Sequence, residues 1–183
     1  MITRITIVVA FAALIAAGCT KKESGADGTM TMADSMKNAF RAEDSVGDAG
    51  KVDEFDKYIT SDYIEHSPMA GQEPGLAGLK KLMVGYKAAF PDMKTTIEDM
   101  RVDGDVLTAR ETVSGTNSGP MMGMPATNKK LTGVMLIEMM RWQNGKFVEH
   151  WAVFDDRAMM TQLGLMHPPP SAPAADSGMK KKM

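Results

Sequence analysis

Leu76, Leu79, Leu82, Met83, Tyr86 and Phe90 recur at helical spacing, and Pro91 stops the run, because a residue before proline is driven out of the helical region. This is the clearest amphipathic helix in the chain. Upstream, 33–46 and 51–60 read as two further helices separated by Gly47 and Gly50, with Val52, Phe55 and Ile59 on one face of the second. Residues 61–66 read as a short strand closed by Pro68. Beyond Pro91 the apolar period falls from about 3.6 residues to about 2, the change from helix to strand. Two pairs of long strands follow: 93–102 with 106–117, and 131–142 with 146–154. Asp103-Gly104-Asp105 divides the first pair and Gln143-Asn144-Gly145 the second, both with the chemistry of tight hairpin turns. A short helix over 156–165 closes the pattern. Helices first and an antiparallel meander afterwards predict an α+β domain, with helices packed on one face of a curved sheet.

The two ends of the chain follow other patterns. Residues 1–4 carry one basic side chain, Arg4, and lead into an uncharged, mainly apolar run over 5–17. As a helix that run rises only about 20 Å, against a hydrocarbon core of roughly 30 Å, so it reads as a cleaved export signal over 1–18. Leu14-Ile15-Ala16-Ala17-Gly18-Cys19 resembles a lipobox, although Ala16 stands where that pattern usually has Leu. Cys19 is the only cysteine. It can form no intramolecular disulfide, and the resemblance implies a lipidated residue that anchors the protein to a membrane outside the cytoplasm. The competing reading is an ordinary thiol after conventional cleavage. Thr20 rather than Asp after the cysteine points to the outer membrane if the envelope is Gram-negative. A polar tether over 19–31, a folded domain over 32–166 and a Pro- and Lys-rich tail over 167–183 complete the organisation. With 23 acidic against 21 basic residues and no basic cluster outside the C-terminal tip, nucleic-acid binding has no electrostatic support.

Several short motifs occur in order inside the domain. They are Tyr63-Ile64-Glu65-His66-Ser67-Pro68, Ala89-Phe90-Pro91-Asp92-Met93, Ser114-Gly115-Thr116, Gly123-Met124-Pro125-Ala126-Thr127, Glu149-His150-Trp151 with Asp155, and Gln162-Leu163-Gly164. In this order they resemble the ester cyclase, or SnoaL-like polyketide cyclase, group of the NTF2-like superfamily, over about residues 36 to 165. The resemblance implies a cone-shaped fold with a deep apolar pocket, no metal and no organic cofactor. Asn117 departs from it, standing where the group often has His.

In the resembling cyclases an acidic residue after the Glu-His-Trp segment exchanges protons, and Asp155 is taken as the matching position. Strict alternation along 146–154 puts Phe147, Glu149, Trp151, Val153 and Asp155 on one face, which is expected to look into the pocket. Asp155 is equally suited to capping the helix that begins at Asp156. His66 is a second catalytic candidate, or a histidine satisfied at a strand end. Arg110, Glu149, Trp151, Phe90 and Tyr63 are candidate substrate-binding residues, Arg110 and Glu149 being also a candidate internal ion pair. Of the 19 methionines, those in Met121-Met122-Gly123-Met124 lie in a predicted loop. They form either an apolar lip or a soft site for Cu(I).

The expected function is therefore acid/base isomerisation or cyclisation of a small apolar substrate, with a non-catalytic carrier of apolar ligands as the alternative. Homodimerisation through the outer face of the sheet is expected, with Val148 and Phe154 on that face.

Overall fold

The computed structural model of the protein describes residues 30–121 and 123–166. The expected export signal, Cys19, most of the expected tether, Met122 and the C-terminal residues 167–183 lie outside the described residues. Helix α1 spans Met32–Asp48, α2 Gly75–Ala89 and α3 Asp156–Gln162; strands β1 to β5 span Ile59–Glu65, Lys94–Asp103, Val106–Thr116, Lys130–Gln143 and Lys146–Phe154. The five strands form one sheet in the order β1-β5-β4-β3-β2, in which β1 runs parallel to β5 and the other neighbours are antiparallel. This is the α+β architecture expected from the pattern.

Local chemistry explains the ends of the elements. Thr31 and Asp34 form a reciprocal capping box at the start of α1. Phe90 leaves helical geometry at the end of α2, directly before Pro91. The β4–β5 hairpin turns through Asn144 and Gly145, both at positive φ, as a tight turn of matching twist requires. One predicted helix is corrected: in place of a helix over 51–60 there is a short 3-10 helix, Val52–Lys57, and Ile59 already begins β1. Ile59 is buried opposite Phe147, and that pairing with β5 overrides the helical spacing of Val52, Phe55 and Ile59.

One core cluster joins Met36, Phe40, Phe55, Ile59, Leu107 and Phe147; Phe40 and Phe147 meet edge to face at 6.3 Å. A second joins Ala89, Phe90, Leu131, Val134, Met159 and Leu163, and Met121 and Met124 pack with it. Several of the ordered motifs build this scaffold. Asp92 accepts from the backbone N and hydroxyl of Thr116 at 2.6 and 2.8 Å. Buried Asn117 ties Gly119 and Thr127 together, and Gln162 bonds both backbone groups of Thr132.

The last strand carries the decisive irregularity. Trp142 pairs with Phe147 and Arg141 with Glu149, so Val148 has no partner across the ladder. Such a bulge inserts one residue and reverses the alternation beyond it. Phe147 faces the core, but from there on it is His150, Ala152 and Phe154 that face inward. The expected pocket face of this strand is thereby corrected. Glu149, Trp151 and Val153 lie on the outer face, and Phe154, expected outside, lines the interior.

Candidate functional site

Between the inner face of the sheet and the helices lies a cavity of about 200 Å³. Its wall is largely apolar, with Leu79, Leu82, Phe90, Val113, Leu136 and Phe154 among the contributors, and five methionines: Met69, Met83, Met93, Met140 and Met159. One end is acidic. Glu43 and Asp44 enter from α1, Tyr63 and Glu65 from β1, Glu111 from β3, Glu138 from β4 and His150 from β5.

Two arrangements occupy that end. In the first, Glu65 is fully engaged: its Oε2 accepts from the Tyr63 hydroxyl at 2.9 Å and lies 2.7 Å from Nδ1 of His150, while its Oε1 accepts from the Ser67 backbone at 2.8 Å. Nε2 of His150 stands 3.6 Å from Oε1 of Glu138. Burial opposes charge on His150, but the Glu138 charge and the bonds to Glu138 and Glu65 outweigh it and push the imidazole up to about 10, so it is an imidazolium at neutral pH. Burial likewise opposes ionisation of Glu65, and the His150 partner overrides it, holding Glu65 below the usual range.

The second arrangement is a pair of carboxyl groups, Asp44 and Glu111. Glu111 is completely buried, and neither of its oxygens, nor Oδ2 of Asp44, receives a donor from another group among the described residues. Burial first, then the neighbouring carboxylates, drives Glu111 far upward. Burial chiefly, with the charges of Glu138 and Asp48 adding, raises Asp44 to about 7. Glu43 is also held well above its ordinary range by burial and by Asp44 and Glu138. Two neighbouring carboxyls raised in this way do not ionise together, so one stays protonated while the other is charged.

The predicted site residues divide between the two faces of the sheet. Tyr63 and Phe90 line the cavity. His66, Glu149 and Trp151 are brought together, but on the outside: His66 stacks on Trp151 at 4.3 Å and bonds Glu149 at 2.8 Å. Glu149 pairs there with Arg141 at 2.9 Å rather than with Arg110, which is exposed. Asp155 is absent from the cavity wall, and its carboxylate caps α3 by accepting from the Ala158 backbone at 2.8 Å. The position directly after Glu149-His150-Trp151 does face the cavity, and it is Ala152. Asp44, Glu111, Glu138 and His150 were not anticipated. The signal was present: Glu111 shares its strand face with Leu107, Ala109 and Val113, and Glu138 shares its own with Leu136 and Met140. A carboxylate on an apolar parity is either paired or functional. Among the described residues no group of three His, Cys, Asp or Glu side chains is disposed to hold a metal ion.

Fold and site together define an α+β domain built around one deep cavity, apolar in its walls and acidic at one end. The chain belongs to the SnoaL-like polyketide cyclase family, whose model matches residues 37–163. It is similar in structure to TsrD from Streptomyces laurentii, at 26% identity over 75% of this chain and 100% of that one, with a TM-score of 0.68. A candidate polyketide cyclase from Bacillus cereus is 28% identical over 73% of this chain and 83% of its own, at a TM-score of 0.64. IdmH from Streptomyces antibioticus, also a candidate polyketide cyclase, is 27% identical over 70% and 98%, at 0.62. No curated protein matches the sequence as a relative.

Proposed function

We propose that this domain is an acid/base isomerase or cyclase of a small apolar substrate, held outside the cytoplasm by a lipid on Cys19. The observation that carries the chemistry is the Asp44–Glu111 pair at the acidic end of an apolar cavity, in which completely buried Glu111 and Oδ2 of half-buried Asp44 have no donor from another group among the described residues. Glu111 keeps its proton and donates a hydrogen bond to a substrate oxygen. Asp44, exchanging its proton near neutral pH, takes one from the carbon next to the carbonyl that bears that oxygen and returns it elsewhere on the frame. The apolar walls exclude water, which keeps both groups in their shifted states.

The test is deuterium exchange at the carbon next to the carbonyl of 2-tetralone, followed by NMR in D₂O. Wild type is expected to accelerate the exchange, and Asp44→Asn to reduce it by about 10²-fold or more while the ketone still binds. Exchange at the buffer rate with the ketone bound supports instead the carrier reading, which the cap role of Asp155 and the presence of Ala152 favour. The anchor has its own check. Cys19→Ala is expected to move the protein from the membrane to the soluble fraction or to leave its signal uncleaved, and an unmodified thiol on the membrane-extracted mature chain overturns that part.

A further inference from the structure

The acidic end of the cavity contains more negative charge than its own partners neutralise. Six carboxylic side chains line the cavity, and among the described residues no lysine or arginine does. His150 engages Glu65 and Glu138, and Asp48 is met from outside by Lys94 at 3.3 Å and by the Thr95 backbone and hydroxyl at 3.0 Å. Glu43, Asp44 and Glu111 are left with no cation at ion-pair distance among the described residues. Glu138 stands at the centre of the conflict, since its charge raises Glu43 after Asp44 does and adds to the burial that raises Asp44 and Glu111. The second observation is independent of this crowding. Glu111 is completely buried, lines the cavity, and has both oxygens without a donor from another group among the described residues. A buried carboxyl in that state lacks a partner that a ligand can supply.

We propose that the cavity selects ligands carrying a protonated amine on an apolar frame, the ammonium seated between Glu138 and the Asp44–Glu111 pair. This rests on the reading that the cavity is the binding site and adds the class of molecule it takes. An ammonium group has only donors, and the three carboxyl groups offer acceptors. It relieves their mutual repulsion, whereas an anionic ligand meets six carboxylic side chains. The apolar wall takes the rest of the molecule, and its five methionines adapt to differing frames.

Cation binding favours the ionised form of the pair, so occupancy expels a proton. The charged and titratable groups facing the pair are Glu43, Asp48 with Lys94, Glu138 and His150. His150 stays charged well above neutral pH, and a primary alkylamine stays protonated there as well. The pair is thus the group that changes between about pH 6 and 8, and amine affinity is expected to rise with pH across that range.

Three probes of one size separate the possibilities in calorimetric titration of the domain: 4-phenylbutylamine, 4-phenylbutan-1-ol and 4-phenylbutyrate. The amine is expected to bind about tenfold or more tightly than the alcohol, with proton release visible as a dependence of the heat on buffer, and the butyrate not to bind. Glu138→Gln and Glu111→Gln are expected to remove the preference for the amine, bringing its affinity to that of the alcohol measured on the same variant. If either variant fails to fold, the wild-type ratio decides. Equal binding of amine and alcohol to wild type overturns the amine proposal and leaves the cavity reading standing. Binding of none of the three overturns both.

Discussion

Asp44 and Glu111 make the domain's stability depend on pH in a direction that is easily mistaken. Their carboxyls titrate higher in the folded chain than in the unfolded one, because burial and neighbouring charges penalise ionisation. The folded state therefore binds more protons above about pH 4, and stability falls as pH rises through neutrality. His150 acts in the same sense: raised to about 10, it contributes stability that is full below its unfolded value and is lost as pH rises toward that figure. Glu65 is depressed, so its contribution is lost at the acid end. Melting temperature is expected to peak near about pH 5 and to decline toward pH 9, and Asp44→Asn to flatten the decline between about pH 4 and 7. A melting temperature that climbs from pH 5 to 8 refutes this account. These residues were individually visible in the sequence, but their convergence was not. Glu43 and Asp44 lie on a helix more than sixty positions from Glu111, and no local pattern reports that meeting.

At the level of elements, the hairpins, the long helix and the strand limits could be read from turn chemistry and apolar period, since both are local. The bulge at Val148 could not. The segment from Lys146 to Phe154 alternates plausibly in either parity, and only pairing with Arg141 and Trp142 decides where the extra residue sits. That single residue moved two candidate site residues, Glu149 and Trp151, to the outer face, where His66 from the end of β1 stacks on Trp151 and Arg141 pairs with Glu149. The short α3 supplies the matching test for Asp155. Asp155→Ala is expected to cost about 1 kcal/mol by removing the cap, while Asp155→Asn retains both stability and turnover. A turnover loss of about 10²-fold in the Asn variant would return the proton-transfer role to Asp155.

For the molecule as a whole, the outer face of the sheet carries exposed Met135, Ile137, Met139 and Val153 on neighbouring strands, with Ile64 beside them on β1. The expected homodimer is therefore placed on these residues rather than on Phe154. Sedimentation of residues 30–166 is expected to give a concentration-dependent dimer that Val153→Lys weakens by about tenfold or more, through burial of an unpaired charge. A monomer at every concentration removes it. Another consequence follows from the parallel pairing of β1 with β5, which joins Ile59 to Phe147 and Glu65 to His150. Those partners are separated by more than eighty positions, and no hairpin can bring them together. Until β5 docks, the chain has Glu65, Asp44 and Glu111 without the His150 imidazole that Glu65 bonds. Loop-closure entropy delays such distant contacts. The acidic end of the cavity is accordingly completed late, by the same docking event that completes the sheet, so the site closes only on a chain that has finished folding.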